Sequence, residues 1–148
     1  MSVTEIRFYG KKAQYGEFSN FYTSPFTIED KSWETVEHYF QAMKFPDDPE
    51  YQEFIRKAKS PPEAKRLGGS RKHPLRPDWN TYRDIVMKRA LEAKYTQNSM
   101  LKELLLSTGD AYLIEDSPSD YYWGCGQDGT GQNMLGKLLV QVRNELKR

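Results

Sequence analysis

The run Thr35-Val-Glu-His-Tyr-Phe-Gln-Ala-Met-Lys-Phe-Pro46 sets the architecture of what surrounds it. Val36, Phe40 and Met43 recur at i, i+4 and i+7, the apolar stripe of a helix. The stripe stops ahead of Pro46, because the residue before a proline is pushed out of the helical region. Glu37, Gln41 and Lys44 form a second row within an arc of roughly 60°, with Glu37 and Lys44 about 10 Å apart along the axis. A polar row beside an apolar one suits a helix at the edge of a pocket, and equally a helix with one solvated face. His38 is left without a role, since a lone histidine is more often a structural hydrogen-bonder than a catalyst.

Upstream of this helix the pattern is that of strands. Residues 4–9 read as a short strand, and Phe26-Thr-Ile-Glu-Asp-Lys-Ser-Trp33 alternates about a polar turn, which is a hairpin. Downstream it is helical. A helix is expected from about Pro49 to Lys59, and Ser60-Pro-Pro-Glu63 carries the capping signature of another that ends at Gly68-Gly69. Residues 70–77 form a basic, proline-interrupted loop. Asp78 is expected to cap a long helix to about Tyr95, with Asp84, Lys88 and Glu92 on an exposed side. Asn98 opens a helix that buries Leu101, Leu104 and Leu105, and residues 111–115 form a strand. The last helix carries Leu135, Leu138, Leu139, Val142 and Leu146 on one face. The fold class is α+β: one predominantly α-helical domain over residues 1–148 with a few short β-strands.

Between the last strand and the last helix lies Asp120-Tyr-Tyr-Trp-Gly-Cys-Gly-Gln-Asp-Gly-Thr-Gly-Gln-Asn133. Glycines at 124, 126, 129 and 131 permit positive φ and a close gathering of N–H groups. The loop runs into a helix N-terminus, which favours an anion such as a phosphate. It is neither a Walker nor a Rossmann pattern. A ligand loop and a purely structural Ω-loop both fit. Cys125 has no histidine close in sequence to activate it. Arg71 and Arg76 are either solvated or charge-assisted phosphate contacts. Asn20 is either a hydrogen-bonder to a sugar or base, or part of a local turn.

Composition narrows the function. The chain has 148 residues, with 22 Lys and Arg against 21 Asp and Glu, a net charge of +1. That balance argues against a broad basic face for nucleic acid, though not against a local basic pocket. One Cys and two His cannot supply a disulfide or a usual structural zinc site, so no metal is expected. No apolar run reaches membrane-spanning length and the first residues lack a secretory plan, so no membrane and an intracellular, cytoplasmic location are expected. Aromatic residues make up 14%, enough to serve both core packing and stacking on a base or sugar.

Taken in order, Gly16-Glu-Phe-Ser-Asn-Phe21, Trp33 to Phe45, Pro74-Leu-Arg76, Trp79, Val86-Met-Lys-Arg-Ala90, Asp120 to Gly126 and Asn133-Met-Leu-Gly136 resemble the NADAR, or YbiA-like, family. The resemblance extends from about Ile6 to Leu146. It implies an N-glycosidase that cleaves a ribose C1–N bond. Two substrate types go with it: ADP-ribose on the guanine amino group of DNA or RNA, and the phosphorylated ribosylamino-pyrimidine intermediates of riboflavin synthesis. The implied partner is thus an ADP-ribose-containing or phosphoribosyl substrate, and no cofactor is implied.

On that basis Glu37 is expected to be the principal carboxylate, activating water or stabilising a cationic sugar carbon. Asp120 is a second carboxyl, and Lys44 a candidate for a Schiff base with a ring-opened ribose. Trp123, with Phe8 or Trp79, is expected to stack on the base. Gly124, Gly126 and Asn133 are expected to hold phosphate or ribose, with Arg71 and Arg76 as further phosphate contacts. A non-catalytic ADP-ribose or nucleotide-binding module would need the loop and Trp123 but not Glu37 or Lys44. A protein-interaction domain would need none of them.

Overall fold

The computed structural model describes residues 4–148; the leader reading of the first three residues lies outside them. Strand β1 (Glu5–Phe8) is followed by a 3-10 turn at Gly16–Phe18, then by the hairpin β2 (Phe26–Ile28) and β3 (Lys31–Trp33). Helices α1 (Val36–Ala42), α2 (Pro49–Arg56), α3 (Pro61–Gly68), α4 (Trp79–Thr96) and α5 (Ser99–Ser107) come next, then β4 (Tyr112–Glu115) and α6 (Met134–Leu146). The hairpin turns at Glu29 and Asp30, both at positive φ (51° and 66°), as a tight two-residue turn requires. β1 pairs in parallel with β4, in the register Ile6↔Leu113 and Phe8↔Glu115, so two segments far apart in sequence are tied together.

Helix α1 is the centre of the molecule. Thr35 caps it by accepting from the His38 N–H, and every residue from Val36 to Ala42 is buried. It packs against α2, α3 and α4, so the solvated-face alternative for Glu37 and Gln41 does not hold. His38 is structural: Nδ1 hydrogen-bonds Thr35 at 2.8 Å and Nε2 donates to the Ala58 carbonyl at 3.0 Å. Ser60 and Asn98 cap α3 and α5 as their types predict.

Other details differ from the sequence reading. Helix α2 ends at Arg56, three residues earlier than expected. Asp78 makes no side-chain cap on α4, because both its carboxyl oxygens pair with Arg76. The row Asp84, Lys88, Glu92 is half-buried: Asp84 accepts from the Tyr122 hydroxyl, and Lys88 reaches Glu145 on α6. Phe54, an aromatic of the expected second helix and most simply a core residue, is 56% exposed. No helix among the described residues is long and apolar enough to cross a membrane.

Candidate active site

A cavity of about 840 Å³ opens between α1, α3, α4, the turn after Ser19 and the segment that follows β4. Of the residues singled out from sequence, Glu37, Lys44, Asp120, Asn20, Trp79 and Trp123 all line it. Glu37 and Gln41 of α1, with Lys44 in the turn just past its end, line one side. Gln41 Nε2 donates to Glu37 Oε2 at 2.6 Å, which fixes the carboxyl. Burial pushes the Glu37 carboxyl above its ordinary range, with Gln41, Lys65 and Lys44 opposing and Asp120 adding. Lys44 donates to the Gly68 carbonyl at 3.4 Å. Burial, then the neighbouring Arg71 guanidinium, brings its amine down to about 8.

Asp120 is held by its own loop. Its Oδ1 accepts from the Tyr122 N–H at 2.9 Å and the Trp123 N–H at 2.8 Å, which turns the indole into the cavity. Trp123 meets Phe40 edge-on at 5.4 Å, and Phe40 tilts against Trp79 at 5.0 Å. These rings make an apolar surface on which a base can lie. Asn20 is set by two ties: its backbone carbonyl accepts from the Glu37 N–H and its Nδ2 donates to Met87 Sδ at 3.5 Å, while its Oδ1 is buried without a partner. The preceding Ser19 carbonyl is gripped by Lys94, whose buried ammonium also donates to Glu17 O at 2.6 Å.

The remaining candidates stand elsewhere. Phe8 is in the core, edge-on to Phe18, and does not line the cavity. Arg71 donates to the Gly68 and Ser70 carbonyls and bears on the site only through its charge beside Lys44. Arg76 pairs with Asp78 and lies 3.6 Å over the Tyr82 ring. Gly124, Gly126 and Asn133 build the loop rather than line the cavity. The N–H groups of Asn133, Met134 and Leu135 donate to the carbonyls of Gly124, Tyr122 and Trp123, so the start of α6 already has partners where an anion was expected. Gly126 has φ +74°, and a Cβ there would lie 2.3 Å from the Tyr121 ring. Asn133 uses its side chain as a strut, accepting from Glu115 N and donating to Leu113 O.

The cavity also gathers residues to which the sequence reading gave no site role: Glu115, Lys65, Arg83 and Met87, the last within a quoted motif, with Lys11 and Lys12 beside them. Arg83 and Met87 follow Trp79 at i+4 and i+8 on α4, a signal present in the helical period. Glu115 carries no such signal. It is the last residue of β4, and burial followed by the carboxyls of Asp120 and Glu37 pushes it up to about 7. Three carboxyl groups and a lysine of lowered basicity beside an aromatic surface can exchange protons with the nitrogen and oxygen atoms bonded to a sugar carbon. Among the described residues no group of His, Cys, Asp and Glu is placed to hold a metal ion.

Comparison with known proteins defines the family. The NADAR domain pattern matches residues 7–147. The N-glycosidase YbiA of Shigella boydii serotype 4 (strain Sb227) is 46% identical over 99% of this chain and 91% of that protein. The chloroplastic riboflavin biosynthesis protein PYRR of Zea mays is 39% identical over 95% of this chain, which matches 25% of that longer protein. The NMR structure of the Escherichia coli protein YbiA has a TM-score of 0.91 at 46% identity, covering 99% of this chain and 87% of that one. The chain belongs to the NADAR family, and its helix-rich α+β fold is the one found in that solved structure.

Proposed function

We propose that this chain hydrolyses the C1–N bond of a phosphorylated N-riboside, a ribosylamino-pyrimidine phosphate being the substrate class. As a member of a family whose relatives are named N-glycosidases at 46% identity, the chain is a hydrolase acting on N-glycosyl compounds. The observation that carries the site assignment is the convergence of Glu37, Lys44 and Asp120 with Trp123 in one cavity. Its volume of about 840 Å³ suits a nucleotide-sized ligand.

In this reading the base lies on Trp123 and Phe40, and Asn20 hydrogen-bonds the ribose. Asp120 directs its free oxygen at the sugar. Glu37 faces C1, stabilises the developing positive charge and takes a proton from the attacking water. Lysines 11, 12 and 65 supply charge for the phosphate.

A second route is favoured by the Lys44 amine at about 8. The neutral amine attacks C1 of the ring-opened imine, the base leaves as its amine, and water hydrolyses the lysine–sugar imine to free aldehyde and lysine. Borohydride added during turnover separates the routes. An adduct in the wild type that is missing from Lys44→Ala marks the covalent one, and no adduct leaves water as the attacking group.

The substrate test sets the ribosylamino-pyrimidine phosphate beside a guanine oligonucleotide carrying ADP-ribose. Faster release from the first supports the proposal, and faster release from the second transfers it to nucleic-acid de-ADP-ribosylation. Binding of ADP-ribose with cleavage of neither substrate overturns the enzyme reading in favour of a binding module.

A further inference from the structure

We propose that Glu115 is a third catalytic residue, the proton donor to the departing nitrogen; this rests on the N-glycosidase reading above. Glu115 reaches the cavity from β4, a different element from those carrying Glu37 and Asp120. Its backbone is fixed on every side. The N–H donates to Asn133 Oδ1 at 3.0 Å, the carbonyl accepts from Cys125 N at 2.9 Å, and the residue pairs in register with Phe8. A side chain on so constrained a backbone is held in place, as a group that must meet one atom of a substrate requires.

The three carboxyls differ in what they receive. Glu37 accepts from Gln41, and Asp120 accepts from two backbone N–H groups. Glu115 Oε2 is buried and has no hydrogen-bond partner. A buried carboxyl oxygen without a donor favours the protonated form. The charged groups that share the cavity with it are Lys11 and Lys12 after β1, Glu37 of α1, Lys44 just beyond that helix, Lys65 of α3, Arg83 of α4 and Asp120 of the loop. Burial acts most strongly, the two acids act in the same direction, and Lys65 opposes them, which leaves Glu115 near 7. A general acid works best when it titrates near the operating pH.

The step balances without any further reactant. As C1–N breaks, its electron pair stays on nitrogen and takes the Glu115 proton, releasing the amine. C1 accepts the oxygen of a water, whose proton passes to Glu37. Glu115 then regains a proton from solvent and Glu37 gives one up.

The test uses the full chain and Glu115→Gln, which keeps the shape and removes the acid. On an amine-linked N-riboside phosphate, kcat is expected to fall about 100-fold or more, in the range of acid–base contributions. On a pyridinium N-riboside phosphate, whose nitrogen leaves without a proton, the loss is expected to stay below about 5-fold. Wild-type kcat is expected to fall above about pH 7 as Glu115 loses its proton, and this limb is expected to be missing from the variant. Equal losses on both substrates, or an unchanged pH limb, overturn the proposal by showing a merely structural role. Infrared difference spectra need no turnover. A protonated carboxyl band that titrates around neutrality in the wild type and is missing from the variant supports the assignment, and its absence from the wild type overturns it. A wild type that cleaves no N-riboside fails the functional reading and this role with it, whereas an active wild type with a fully active variant removes Glu115 alone.

Discussion

Gly68 is not a catalytic group, yet replacing it with alanine is expected to damage the site. It closes α3 against α1. A Cβ at this position would lie 1.9 Å from Gln41 Oε1, 2.7 Å from its Cδ and 2.8 Å from its Cβ. The distal amide can swing away, but the Gln41 Cβ is part of a buried helix and cannot. The two helices must separate, or the Gln41 side chain must leave its place. Overpacking of this kind costs about 1–3 kcal/mol. Displacing Gln41 also removes the 2.6 Å bond to Glu37 Oε2. A hydrogen bond to a charged group contributes about 1.5–3 kcal/mol, so its loss in the transition state lowers kcat by roughly 10- to 150-fold. Urea unfolding of Gly68→Ala is expected to show the stability loss, and steady-state turnover the kinetic one. Adding Gln41→Gly removes the opposing Cβ together with the amide, so the double variant regains part of the lost stability, less the ~1 kcal/mol that glycine costs in a helix, while turnover stays low. A Gly68→Ala protein of wild-type stability and turnover refutes the packing argument. A double variant with restored turnover refutes the role given to Gln41.

Three further outcomes are expected. Glu37→Gln keeps the shape of the α1 row but not the charge, and lowers kcat on the N-riboside by about 100-fold or more; near-normal turnover removes Glu37 from the chemistry. Trp123→Ala removes a stacking surface worth about 1–3 kcal/mol, so KM rises roughly 5- to 150-fold with a smaller change in kcat, and an unchanged KM shows that the base lies elsewhere. Burial brings the Lys94 amine from its ordinary 10.5 down to about 7. Between those values the unfolded chain holds a proton that the folded chain does not, so stability rises as pH rises through that window and falls as pH drops toward 7. Urea titrations at pH 7 and pH 9.5 are expected to show this slope in the wild type and a flatter one in Lys94→Met; equal slopes rule out Lys94 as its source.

Local rules carried much of the fold. The caps Thr35, Ser60 and Asn98 and the Glu29-Asp30 turn are determined within a few residues of themselves, and each appears where its residue type places it. Departures arise where a side chain has a partner that sequence spacing does not reveal. Asp78 is a good cap by type, but Arg76, two residues away, holds both of its oxygens. Asp84, Lys88 and Glu92 have the spacing of a solvated row, yet Tyr122 of the loop holds Asp84 and Glu145 of α6 pairs with Lys88. The α1 polar row was ambiguous for the same reason. One face of a helix reads alike whether it meets water or a cavity, and only packing by α2, α3 and α4 settles which.

The glycine loop shows why half of the site could not be read along the chain. Its glycines and the following helix start have the composition of an anion cradle, but composition does not say where N–H groups point. Asn133, Met134 and Leu135 return their N–H groups to the loop, so the segment is a brace. Besides carrying Asp120 and Trp123, it aims a group that lies outside it. The Asn133 side chain bridges Leu113 O and Glu115 N, and with the Cys125 N–H on the Glu115 carbonyl it fixes the end of β4. The parallel pairing of β4 with β1 then sets the position of that strand end. The carboxyl cluster is therefore a product of tertiary closure. Glu37 and Asp120 carry local signals, in a helical row and beside an aromatic triplet, whereas Glu115 joins them only because a brace and a distant strand hold it there.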